Sequence, residues 1–192
     1  MGDFGTGDLE DRLRARVEQV RWERSRVQRL GADVVAHLPE HREVWRAQAR
    51  AFARVAAEIG MGSERISAEY KEKKRFIQRV TLWEHDVLFV EGGVAVTTRG
   101  ELVEVDGDRP VPFAGFLDEG DFTYDALSVC LYRDRADDRA DIEDVVGIRR
   151  SPRGLACCVT ASGELVVVCD GGEGNAFMTF ERRLAEVVEK WA

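Results

Sequence analysis

Three of the chain's four cysteines lie in the stretch "CCVTASGELVVVCD", residues 157–170. Thiols that dense would suit a metal site or a redox pair, because thiolates both ligate zinc and exchange disulfides. The spacing argues against both. The segment alternates β-branched and small residues, as a strand does, so adjacent Cys157 and Cys158 point to opposite faces. With a two-residue turn at Ser162-Gly163, Cys158 and Cys169 share a face on a diagonal roughly 7–8 Å long. A disulfide wants Cβ atoms about 4 Å apart. No CxxC pair stands nearby. The thiols read as small buried apolar groups.

The remaining chemistry-bearing residues divide the same way. His37 and His41 are four apart, which suits a metal on a continuous helix, but Pro39 stands between them. No metal site is expected there. Asp118, Glu119, Asp121 and Asp125 lie in "DEGDFTYD", interleaved with Phe122 and Tyr124 and preceded by Phe113 and Phe116. Carboxylates walled by aromatics could form a catalytic pocket. The calcium-loop spacing is absent, so a solvated acidic loop that docks a partner is the simpler reading. "KEKKR" at 71–75 holds three of the chain's four lysines and is the strongest local positive spot. Lys71, Lys73, Lys74 and Arg75, together with Glu84 and Glu104 in the strand region, complete the candidate partner-binding set. No catalytic residue, metal or cofactor is assigned, because no Walker A, GxGxxG or GxSxG pattern occurs.

The elements that must hold these residues follow from periodicity. Leu9, Leu13, Val17, Val20, Val27, Leu30, Val34 and Leu38 recur at three- and four-residue steps, which predicts one long helix ending at Pro39. Val44, Trp45, Gln48, Phe52, Val55, Ala56 and Ile59 predict a second helix with these residues on one inner face. Ile66, Tyr70, Lys73, Ile77 and Val80 predict a third, capped by Ser63. Short breaks between them predict an antiparallel helical hairpin, with seven-residue steps that suit coiled-coil packing. After residue 80 the period shortens to that of strands. "RGELVEVD" and "SGELVVVCD" share Gly-Glu-Leu-Val, each following a strand and a turn. The repeat fits either an old duplication or the common grammar of hairpins. A two-residue turn puts Val94, Val96, Val103 and Val105 on one face of the first hairpin. The acidic "DRADDRAD" at 134–141 reads as an exposed linker, and Thr179 is expected to cap a last helix.

The expected fold is therefore α+β, a three-helix arm over 1–80 and an antiparallel sheet over 81–192 closed by a C-terminal helix. Charge separates the two parts. Residues 1–80 carry 17 Lys or Arg against 13 Asp or Glu, a net of +4. Residues 81–192 carry 11 against 23, a net of −12, and the sum is the chain's −8. An excess of Arg over Lys with abundant Ala and Val has the stamp of a GC-rich bacterial genome. No apolar run could span a membrane and the first residues have no apolar leader core, so a cytoplasmic protein is expected.

Function is then expected to be non-enzymatic. The chain reads as a protein-interaction module, an adaptor, secretion chaperone or immunity-type inhibitor, whose acidic β half binds a basic protein. A second copy is a further expected partner, through the arm. The alternatives are a nucleic-acid-associated protein using helix 1 and the Lys71–Arg75 cluster, and an enzyme with its pocket at 113–125. The arginines of helix 1 mix with Glu10, Glu18 and Glu23 around the helix, so no single basic stripe forms for a nucleic-acid groove.

Overall fold

The computed structural model describes residues 6–74, 76–106, 109–112, 145–151, 154–171 and 174–192. The described chain is a mixed α+β molecule with three helices and two open antiparallel sheets. Helices α1 (Thr6–Ala36) and α2 (Leu38–Glu58) come first. Strands β1 (Glu64–Lys74), β2 (Phe76–Glu91), β3 (Val94–Thr97), β4 (Leu102–Asp106) and β5 (Arg109–Pro112) form one meander in that order. Strands β6 (Val145–Ser151), β7 (Gly154–Thr160), β8 (Leu165–Gly171) and β9 (Gly174–Thr179) form another, and α3 (Phe180–Trp191) ends the chain.

Two helical expectations are corrected. Residues 63–80 are not a third helix. They form most of the long β1–β2 hairpin, paired from Glu64↔Val87 to Lys74↔Phe76. The three- and four-residue steps from Ile66 to Val80 fall across a chain reversal, and cross-strand pairing outweighs the helix propensity of the Lys-Glu run. Nor do the first two helices fold into a hairpin. Pro39 sits in the first turn of α2, where a missing N–H costs nothing. His37 donates its N–H to Asp33 O at 3.2 Å and accepts from His41 N at 3.1 Å, so the helical run passes through the joint.

The single expected sheet is two, and its turns are longer than expected. Thr97 N–H donates to Glu101 O, and Thr160 N–H to Glu164 O, each at 3.0 Å. Each loop therefore has three residues, Thr98–Gly100 and Ala161–Gly163, with the last glycine left-handed at φ 74° and 83°. This is a type I turn followed by a glycine bulge. Thr97 Oγ1 accepts from Glu101 N, and Thr160 Oγ1 from Glu164 N, both at 3.0 Å. One residue more in the turn shifts the register by one, and a one-residue slip exchanges the faces. The observed pairs are Val96↔Leu102, Val94↔Glu104, Cys157↔Val167 and Val159↔Leu165.

That register builds the core. Val94, Val96 and Leu102 from one sheet meet Cys157, Val159, Leu165, Val167 and Cys169 from the other. Trp45, Ala49 and Phe52 of α2, Val34 of α1, and Phe180 and Leu184 of α3 pack on the same cluster. Ala95 and Val103 point the other way, into a small second cluster with Val87. Thr179 caps α3 as expected, its Oγ1 accepting from Arg182 N at 3.3 Å. Arg183 of α3 grips Glu91 of β2 through both carboxylate oxygens, with Nη2 to Oε1 at 3.1 Å. The two side chains are only 18% and 13% exposed, so this pair fixes α3 to the first sheet.

Candidate functional site

The carboxylates Asp118, Glu119, Asp121 and Asp125, their aromatic neighbours, Cys130, Arg75 and the 134–141 repeat lie outside the described residues. Lys71, Lys73 and Lys74 belong to β1, at the distal end of the long hairpin, with Lys74 paired to Phe76. Glu84 is exposed and receives Arg65 Nη1 at 3.3 Å. Arg65 also donates Nε to Asp86 at 2.9 Å, a hydrogen bond that holds Asp86 below the usual carboxylate range. Glu104 is 6% exposed, on the core face opposite Val94, and is not presented to solvent. The structure thus separates Glu84, Glu104 and the lysine stretch instead of gathering them.

Cys157, Cys158 and Cys169 are buried thiols. The face assignment changes with the register. Cys157 and Cys169 share the core face, and Cys158 lies on the other. Burial pushes the Cys158 and Cys169 thiols up to about 12, with Glu91 adding to the effect at Cys169. At Cys158 and Cys169 burial disfavours the thiolate, the form in which a cysteine attacks or ligates. Among the described residues no group of three or more His, Cys, Asp or Glu side chains is placed to share a metal ion. No helix among them is long and apolar enough to cross a membrane.

A cleft of about 140 Å³ opens where α2, the β7–β8 turn and the start of α3 meet. Trp45 is its buried anchor, donating Nε1–H to Gly163 O at 3.0 Å. The His41 ring stacks on Trp45 and lies directly over Gly163, where a Cβ would come within 2.1 Å of the ring. Ser162 Oγ bonds Thr160 at 2.8 Å and Glu164 at 3.3 Å. Gln48 bonds Glu181 across the rim at 3.1 Å. These polar groups bind one another along the cleft.

His41 carries a measurable consequence. Its partly buried ring titrates below the ordinary value of 6.5, chiefly through burial, then through His37, while Glu40 opposes the shift. The folded state therefore prefers the neutral ring. The resulting stability is complete above pH 6.5 and is lost as pH falls toward the lower folded value. Melting curves from pH 8 to 5 are expected to show a steeper acid loss for the native chain than for His41→Gln. Parallel curves would contradict the assignment.

The most prominent surface feature is apolar. Leu9, Leu13 and Val17 of α1 are 58%, 59% and 50% exposed, although they continue the stripe that Leu30 and Val34 bury at the other end. The packed end of α1 lies beside β6, and among the described residues the rest extends from it as an arm. The arm's arginines are interspersed with acids and amides: Arg14 pairs with Glu10 at 2.5 Å, and Arg16 donates to the Gln19 amide oxygen at 3.0 Å. A second apolar face was not expected. On α2 the residues read as one inner face divide into two stripes. Trp45, Phe52 and Ala56 are buried, while Val44, Val55 and Ile59 are 54%, 38% and 37% exposed. The sequence did carry the signal, since α2 has more apolar positions than one packed stripe needs.

The chain matches no family model, no curated protein and no solved structure.

Proposed function

We propose that the protein is a non-enzymatic protein-interaction module that pairs through its helical arm and receives a basic partner on its acidic β half. The observation that carries the reading is the arm itself. About two and a half turns of helix expose Leu9, Leu13 and Val17 in line, on a stripe that the described residues bury at its far end. An isolated solvated helix of this length is marginal, and an apolar stripe on it is stable only when covered. The −12 charge of residues 81–192 supports the basic partner. The seven arginines of α1 (Arg12, Arg14, Arg16, Arg21, Arg24, Arg26, Arg29) stand against six acids (Asp8, Glu10, Asp11, Glu18, Glu23, Asp33), a balance that suits a helix partner better than a polyanion.

Light scattering of the full chain tests the arm. The native protein is expected to show twice the chain mass of 21.6 kDa at micromolar concentration. Leu13→Glu with Val17→Glu is expected to give folded monomers, since each buried side chain is worth about 2 kcal/mol and the four lost from the two arms about a 10⁵-fold loss of affinity. A monomeric native chain would remove the arm from the reading. For the partner, reversing Asp118, Glu119, Asp121 and Asp125 to lysine is expected to abolish low-salt capture of a basic protein. Capture insensitive to both salt and charge reversal would sink that half.

A further inference from the structure

The two exposed apolar faces are comparable in extent, the α2 face the longer, and differ in the balance of charge beside them. On α2, Val44, Ala47, Ala51, Val55 and Ile59 recur at three- and four-residue steps, all exposed. Trp191, 53% exposed at the end of α3, borders the far end of this face, its ring in reach of Gly62. At 1.5 Å per residue the face runs about 24 Å, and the stripe from Leu9 to Val20 about 18 Å. Arg12, Arg14, Arg16, Arg21 and Arg24 flank the arm stripe, with Glu10 and Glu23 as the acids among them. Glu40, Glu43 and Glu58 flank the α2 face, and Glu181 and Glu189 stand exposed on α3, while Arg50, Arg54 and Lys190 are exposed cations on the same two helices and Glu43 already holds Arg46 at 2.6 Å. Arg182 on α3 is held by Glu186 at 3.8 Å.

A chain's own arm does not cover its own α2. The helical run continues through His37, so α1 leads away from α2 instead of folding back along it. Among the described residues no other segment of the same chain lies on the exposed α2 face beside α3, so an occupant drawn from them comes from another copy. We infer that it is the arm of a second copy, laid into the α2–α3 groove with its arginines against the groove's glutamates, and that the exchange is reciprocal. Each copy then contributes one arm and one groove, the self-complementary form of a two-fold dimer. Opposite flanking charges set which helix face meets which groove. This inference rests on the arm's pairing role and adds where the arm goes.

Single-cysteine variants of the full chain test it, made in a Cys130→Ala background. The other three native cysteines are buried. Leu13→Cys is mixed with Ala51→Cys or with Val55→Cys and oxidised gently. A cross-linked dimer is expected from either mixture, absent from each variant alone, and lost when the Leu13→Cys chain also carries Val17→Glu. If Leu13→Cys cross-links to itself while the mass remains dimeric, the groove assignment is overturned and arm pairing survives. A monomeric mass with no cross-link overturns both. A monomeric mass in which the Leu13→Cys thiol is shielded from labelling reagent also overturns both, and gives the stripe to residues 113–144.

Discussion

Trp45→Ala is expected to cost about 4–5 kcal/mol of folding stability, the upper range for emptying an aromatic site. Trp45 is 1% exposed and lies where α2 meets the turn of the second sheet. Two losses add. The ring leaves a cavity under α2, which a helix bridging two sheets cannot close by shifting. The Nε1–H bond to Gly163 O also disappears, leaving that carbonyl without this donor at a cost of about 1 kcal/mol. Trp45→Phe separates the two, keeping most of the volume and losing the bond, for about 1–2 kcal/mol. Urea denaturation with an unchanged slope reads both values. A loss under about 2 kcal/mol for the alanine variant would mean that α2 is not anchored through this residue.

Gly100→Ala is expected to be nearly as damaging, for a different reason. Gly100 is left-handed at φ 74°, and an added Cβ would sit 2.7 Å from the Arg50 Cα. The obstacle is backbone. The left-handed conformation costs alanine about 1–2 kcal/mol, and forcing α2 off the turn about 1–3 kcal/mol more. Gly163 provides the control. It is left-handed at φ 83°, but its added Cβ meets the His41 ring, a side chain that can turn away. Gly163→Ala is therefore expected to be partly rescued by His41→Ala, whereas Arg50→Ala is expected to leave Gly100→Ala unrescued. Double-mutant cycles measure the difference. Equal rescue at both turns would contradict the reading that α2 presses its backbone on one hairpin and a side chain on the other.

Much of this scaffold was legible because its signals are local. The strands around the two Gly-Glu-Leu-Val units, the Thr179 cap and the buried thiols follow from alternation and single-residue chemistry. The faces of both hairpins did not follow, because they depend on one residue of turn length. Thr97 and Thr160 carry that information, since each hydroxyl accepts the N–H of the glutamate four residues on and so sets a three-residue loop. The long β1–β2 hairpin was illegible for a tertiary reason. Its Lys-Glu run has no strand preference of its own, and the backbone register that pairs it runs on from Ile66↔His85 through Tyr70↔Val80. The interaction surface was half legible. The arm stripe was read from Leu9, Leu13 and Val17, but its exposure, and that of Val44, Val55 and Ile59, depends on where α2 lies on the sheets.

The central claim is that the arm is covered by a second copy. Amide hydrogen exchange across Leu9–Val20, measured as a function of protein concentration, tests it most directly. A solvated arm frays, because Leu9, Leu13 and Val17 are half or more exposed and add little packing to hold its turns. A covered arm exchanges only when the pair dissociates. The account predicts amides that are protected at high concentration and lose protection steeply on dilution, together with those of Val44–Ile59. Exchange that is fast, and equal, at every concentration would contradict it.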